Sequence, residues 1–123
     1  MEQPTSKNFN LAAIGAFAGF VAVALGAFGT HTLRARITAQ DLATFQTGVQ
    51  YHLIHAVMAV VAATLGRKNA ATLFLVGIVF FSLPLYVLAV GGPKWMGAVA
   101  PIGGLSFMAG WIFLGISFLR EKR

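Results

Sequence analysis

From Phe9 to Phe28 the chain runs for twenty residues without one charged side chain. A helix of that length rises about 30 Å, the thickness of a bilayer's hydrocarbon core. Backbone in hydrocarbon must satisfy its own hydrogen bonds, so such a run folds as a helix. A cleavable signal peptide is the competing reading, but its apolar region is normally about 7–15 residues and this run is longer. Further apolar stretches follow with short polar breaks between them. Across 123 residues, enough for one domain, only 10% are charged and 58% are hydrophobic. Soluble domains carry about 25% charged residues, so this chain cannot cover itself with a water-compatible surface. The fold class that follows is all-α. It is a polytopic membrane protein with four transmembrane helices in an antiparallel bundle, over roughly 9–28, 39–65, 70–90 and 98–119.

The formal net charge of +6 raises nucleic acid as a partner. The Lys and Arg residues are scattered between apolar runs, however, which is how topogenic charge is placed around membrane spans. The expected partner is the lipid bilayer, with no nucleic acid. Four spans put Lys7, Arg67, Lys68, Arg120, Lys122 and Arg123 on one side, and Arg34, Arg36 and Lys94 on the other. The positive-inside rule then places both termini in the cytoplasm, in the cell's inner or plasma membrane. The chain has no cysteine, which excludes disulfides, thiolate catalysis, Cys-ligated zinc and iron–sulfur clusters.

Small residues recur at helical spacing along the first span: Ala12, Gly15, Gly19, Ala22 and Gly26. Gly15-x-x-x-Gly19 lets another backbone approach closely, so these glycines are packing residues. Gly26-Ala27-Phe28-Gly29-Thr30-His31 is expected to end that helix with a bend or a cap. Thr38 and Asp41 resemble a capping box that opens helix two. At 100° per residue, Asp41, Thr44, Phe45, Gly48, Tyr51, His52, His55, Ala59, Ala62 and Ala63 share one stripe of that helix, with Leu53, Val57, Val60 and Val61 opposite. Arg67-Lys68-Asn69 is read as a tight polar return. Pro84 sits inside helix three and predicts a kink, with the Phe80 carbonyl left without its usual donor. Gly91-Gly92-Pro93-Lys94-Trp95 is a turn, with Trp95 suited to the interface. Pro101 falls in the first turn of helix four, where Gly103, Ser106 and Gly110 form a second small-residue face. Two such stripes exceed what one compact bundle needs, and point to a homo-oligomer or a membrane-protein partner.

His52 and His55 lie three residues apart on one face of helix two, inside the membrane, where an ionisable group must be paired, hydrated or functional. Rise per residue places His55 about 15 Å and His52 about 20 Å above the inner boundary. The same count gives about 18 Å for Ser82, 24 Å for Tyr86 and 20 Å for Ser106. His52, Ser82, Tyr86 and Ser106, with Tyr51 and His55 beside them, are therefore expected to line a polar pocket opening outward. Thr30 and His31, at roughly 33 Å, would form its rim.

Several chemistries compete for that pocket. An i, i+3 histidine pair can supply two metal ligands, but His31 is too far in height to be the third, and no zinc-protease glutamate is present. A bis-histidine haem would need histidines on two helices, and only helix two has them in the membrane. Histidine relays carry protons in transporters, yet no Asp, Glu, Lys or Arg lies in the membrane-embedded part of any span. A quinone or lipid pocket built from His, Tyr and Trp111 is a further reading. The blandest is that the rings hold helices together through hydrogen bonds to Tyr86, Ser82 or backbone carbonyls. There is no nucleophile–base–orienter set, phosphate loop or carboxylate pair. The reading is thus a non-enzymatic structural or accessory membrane protein, with no metal and no cofactor. The alternative is a transporter or channel-like protein using the pocket around His52 and His55.

Four motifs carry a resemblance over nearly the whole chain. They are Gly26-Ala27-Phe28-Gly29-Thr30-His31; Phe45 followed by Gln50-Tyr51-x-x-x-His55-Ala56; Phe81-Ser82-x-x-Leu85-Tyr86; and Pro101-Ile102-Gly103-Gly104 with Gly110-Trp111. In this order they resemble the YgdD/YwdK-like family of small four-helix membrane proteins, a domain-of-unknown-function family with eukaryotic relatives. The resemblance implies an inner or plasma membrane protein and no established reaction. One departure stands out: a small pair such as Gly-Ser usually follows the Phe-Ser of the third motif. Leu83-Pro84 replaces it here, which puts a close helix contact at that point in question.

Overall fold

The structure, a computed structural model, describes residues 6–121; Lys122 and Arg123 lie outside them, and so does the side chain of Lys7. Helix α1 spans Ser6–His31, and a single 3-10 turn follows at Leu33–Ala35. Helix α2 spans Ala39–Thr64. Helix α3 (Lys68–Gly77), a π-helical turn (Ile78–Ser82) and α4 (Leu83–Ala89) make one continuous rod, and α5 spans Met96–Glu121. Three helical stretches are long and apolar enough to cross a membrane: Asn8–Ala35, Lys68–Ala89 and Met96–Glu121. Helix α2 equals α1 and α5 in length, at 26 residues, but its sequence carries Gln40, Asp41, Gln46, Gln50, His52 and His55.

Burial follows the membrane pattern rather than the soluble one. The fully buried apolar positions are mostly alanines, among them Ala22, Ala59, Ala62, Ala63 and Ala71, whereas Phe17 and Phe20 are 70% and 71% exposed. In water such phenylalanines are driven inward. In lipid they cost nothing outside, and small residues win the interior because they let backbones approach.

Helix α1 packs along α2, α2 along the third rod, and the third rod along α5. The glycine stripe of α1 lies in the first seam. A Cβ at Gly15 would stand 2.9 Å from Val60 Cγ2, one at Gly19 3.8 Å from Ala56 Cβ, and one at Gly26 3.3 Å from Val49 Cγ1. Seven residues up α1 match seven back along α2, so the pair is antiparallel and closely in phase. Gly103 and Gly110 lie in the last seam, against Phe80–Phe81 and Phe74. Both stripes that suggest a second copy of the chain are thus occupied within a single copy.

The ends of the elements differ from the sequence reading in four places, each for a local reason. Helix α1 does not stop at Phe28. Gly26 and Gly29 remain helical because Val49 and the Phe45 ring press on them, and neither has a positive φ. The return after α2 turns on Gly66 rather than on residues 67–69. Gly66 has φ +79°, and the Gly66 and Arg67 N–H groups bond back to the Ala63 and Ala62 carbonyls. This is a Schellman cap, which requires a left-handed residue at that site. Lys68 and Asn69 are consequently already in α3. At Pro84 the distortion takes the form of a π turn: the Leu83 N–H reaches the Ile78 carbonyl five residues back, which widens the helix ahead of the proline ring. Pro101 falls inside α5, because that helix starts at Met96. The Thr38 cap forms as read, with the Asp41 N–H donating to Thr38 Oγ1 at 3.0 Å.

Candidate functional site

The buried polar side chains His52, His55 and Ser82 sit where α2 meets the third rod and α5. His55 projects from the buried stripe of α2 and is 4% exposed. Its Nδ1 lies 2.7 Å from the Tyr51 carbonyl one turn earlier. A carbonyl only accepts, so Nδ1 carries the proton. Trp111 Nε1–H, from α5, donates to His55 Nε2 at 3.1 Å. An indole N–H only donates, so the imidazole is neutral here and both its nitrogens are in use. The ring lies flat on Phe107, with centroids 3.7 Å apart and planes 11° from parallel.

Rings from three rods close around this pair. Phe74 meets Trp111 edge-on at 5.2 Å, Tyr51 packs on Phe81 at 4.9 Å, and Phe81 meets Phe107 at 5.4 Å. Such ring pairs contribute roughly 0.5–1.5 kcal/mol each beyond their burial. A groove of about 360 Å³ opens beside them, lined by Tyr51, His55, Phe81, Gly104, Phe107, Met108 and Trp111.

His52 sits one turn higher in another environment. Its Nδ1 shares a hydrogen bond with Tyr86 Oη at 2.7 Å, and the ring also faces the backbone of Ala18 on α1. Phe45 packs on the Tyr86 ring from above, at 5.0 Å. Ser82 is fully buried and donates to the Gly48 carbonyl of α2 at 2.8 Å.

The sequence reading groups His52, Ser82, Tyr86 and Ser106 in one pocket. The structure brings His52 to Tyr86 and sets Ser82 on the same seam, but it places Ser106 elsewhere, donating to the Leu73 carbonyl at 2.7 Å. The cause is the slide of α5. Leu114, not Leu119, packs with Ala70, a shift of five residues or roughly 7 Å. Trp111 lies inward of His55 on this register, and its indole reaches up to the ring. The groove beside His55 is lined mainly by rings, and His52 is not among its walls. Thr30 and His31 are exposed at the end of α1. Among the described residues no three His, Asp or Glu side chains come together as metal ligands would.

Phe74, Phe81 and Phe107 are absent from the sequence reading of the site. The available signal is a repeated Phe-x-x-Gly, at Phe74–Gly77 on α3 and Phe107–Gly110 on α5. Each phenylalanine fills the space over the other helix's glycine, a reciprocal fit that antiparallel helices make possible. The missing small pair after Ser82 has no effect on the close contact there. Gly103 meets the backbone of Phe80 and Phe81, just before the Leu83-Pro84 departure.

Comparison with known proteins identifies the family. The family described as "Protein of unknown function (DUF423)" matches residues 25–104. The Bacillus subtilis UPF0382 membrane protein YwdK is 38% identical over 115 residues, covering 87% of this chain and 94% of its own. The Escherichia coli UPF0382 inner membrane protein YgdD is 37% identical over 115 residues, covering 88% of each chain. The Staphylococcus haemolyticus UPF0382 membrane protein SH2409 is 34% identical over 110 residues, covering 85% of this chain and 90% of its own. No solved structure matches. The matched region holds α2, the third rod, Tyr86 and Ser82, and relatives over 30% identical cover most of the chain: the chain belongs to the DUF423 family, and the UPF0382 membrane proteins YwdK and YgdD are similar to it.

Proposed function

We propose that the protein is a non-enzymatic structural or accessory component of the cytoplasmic membrane, crossing it four times with both termini on the cytoplasmic side. The observation that carries this is the use of the interior polar groups. Both nitrogens of His55, the Tyr86 hydroxyl and the Ser82 and Ser106 hydroxyls are engaged with neighbouring protein groups. A metal site needs a free lone pair, and a relay or base needs partners that exchange protons; the His55 nitrogens face a backbone carbonyl and an indole N–H instead.

The α1–α2 register supports a fourth span. The uncharged run 9–28 lies beside residues 47–66, the last eighteen residues of α2 and the turn after it. The polar first turns of α2, with Asp41, extend past that slab. Relatives named as inner membrane proteins support the location. Arg67, Lys68 and Arg120 on one end, against Arg34, Arg36 and Lys94 on the other, support the orientation together with Lys7, Lys122 and Arg123.

The test is His55→Ala in proteoliposomes. The structural role predicts a lower unfolding temperature and proton and solute fluxes at the level of empty vesicles for both proteins. A wild-type flux above that background, abolished in the variant, overturns the proposal in favour of transport.

A further inference from the structure

We propose that the cleft where the α2–α3 turn meets the last turns of α5 binds the headgroup of an anionic phospholipid. The inference rests on the membrane arrangement proposed above, which sets this end of the molecule at the cytoplasmic surface. The cleft is about 390 Å³ and combines two kinds of wall. Arg67, Lys68 and Arg120 supply positive charge, while Phe113 and Ile116 supply an apolar flank. A free anion needs only the first wall. A phospholipid, with phosphate at one end and acyl chain at the other, uses both.

The charge there is only partly answered from within. Glu121 pairs with Arg67 at 3.1 Å, through Arg67 Nη2. Arg67 Nη1 donates to the Leu65 carbonyl, and the guanidinium stands over the Phe118 ring at 5.5 Å. These contacts hold the guanidinium at the cleft wall. Its Nε is buried and has no hydrogen-bond partner. The side chains of Lys68 and Arg120 enter no ion pair among the described residues. Among the described residues, three cations against one carboxylate leave two positive charges of the cleft uncompensated. Lipid phosphate is the anion held at that height by the bilayer itself, and a basic pocket between helices on the cytoplasmic side suits it. The planar guanidinium adds directional donors that a lysine lacks.

The experiment uses the full chain purified in a maltoside detergent. Native mass spectrometry counts the lipid retained during titration with dioleoyl phosphatidylglycerol, and dioleoyl phosphatidylcholine and inorganic phosphate serve as the other arms. One phosphatidylglycerol should stay bound where phosphatidylcholine does not, and millimolar inorganic phosphate should not strip it. The pair Lys68→Gln with Arg120→Gln breaks no described contact and should weaken retention about thirtyfold. The pair Arg34→Gln with Arg36→Gln removes equal charge at the opposite end and should leave retention unchanged. Equal retention of phosphatidylcholine, equal loss in the Arg34 and Arg36 pair, or displacement by inorganic phosphate each overturns the site. Lys68→Cys, the sole cysteine in such a chain, separates this result from the membrane arrangement. Labelling by an impermeant maleimide in intact cells would overturn the orientation, while the detergent titration still decides the lipid site.

Discussion

Along the α1–α2 seam Gly15, Gly19 and Gly26 face an aliphatic side chain or another small residue. At the seam between the third rod and α5, Gly77, Gly103 and Gly110 receive an aromatic ring or a stretch of backbone. The two seams read alike as sequence, as small residues at helical spacing, but they are held differently. The first is a smooth approach of two backbones. The second is interlocked, with Phe74 set over Gly110, Phe107 over Gly77, and Gly103 against the π turn. The interior polar bonds gather where α2 meets the interlocked side. The lesson is that a glycine stripe announces closeness without saying how much room is left, and substitution measures that room.

The largest effect is expected at Gly103. A Cβ there would overlap the Phe80 and Phe81 backbone, and backbone cannot rotate away as a side chain can. Overpacking usually costs about 1–3 kcal/mol, and Gly103→Ala should reach the top of that range, near 3 kcal/mol. Thermal unfolding in detergent checks it. A loss under about 1 kcal/mol would mean that the seam is not interlocked.

Next comes His55, where two variants divide ring packing from hydrogen bonding. His55→Ala removes the stack on Phe107 and the acceptor for Trp111, and should cost about 2–3 kcal/mol. His55→Phe keeps the stack but leaves the Trp111 N–H unpaired, and should cost about 1–2 kcal/mol. Tryptophan emission should shift in both variants as the indole loses its partner. Equal losses in the two variants would show that the ring packing contributes nothing and the bonds everything.

Ser82→Ala ranks below these. It deletes one bond to the Gly48 carbonyl, which already serves its own helix, so a cost of about 0.6–1.7 kcal/mol is expected. A loss as large as that of His55→Ala would show that α2 is fastened to the third rod mainly through this hydroxyl.

The helices were readable because an uncharged twenty-residue run in this composition has few other ways to fold. The capping of α2 by Thr38 was readable because that chemistry is local. The buried stripe of α2 also follows from angle alone: Phe45, Gly48, His52, His55, Ala59, Ala62 and Ala63 are all buried. What the sequence does not carry is the slide of one helix past another. Aligning α5 by its charged end assumes that the polar boundary and the packing register coincide. Arg120 and Glu121 instead reach beyond the end of α3, because Phe74 and Phe107 must each find the opposing glycine. That single offset moves Ser106 away from His52. The π turn is equally hidden: Pro84 signals distortion without saying that it takes the form of a widened turn at Ile78–Ser82.

Gly19 gives the smallest expected effect and the sharpest test of the contrast. Its added Cβ would rest 3.8 Å from Ala56 Cβ, an ordinary contact with nothing displaced. Alanine also restricts the helix backbone less unfavourably than glycine, by up to about 1 kcal/mol. Gly19→Ala should therefore leave the unfolding temperature unchanged or raise it slightly. Gly15→Ala should fall between, at a cost of about 1 kcal/mol, because Val60 must turn aside from a 2.9 Å contact. The expected order of damage, Gly103 above Gly15 above Gly19, follows what stands opposite each glycine rather than the spacing they share. If Gly19→Ala were as damaging as Gly103→Ala, α1 would have to sit closer to α2 than the 3.8 Å contact allows, and the two seams would be one kind of interface after all.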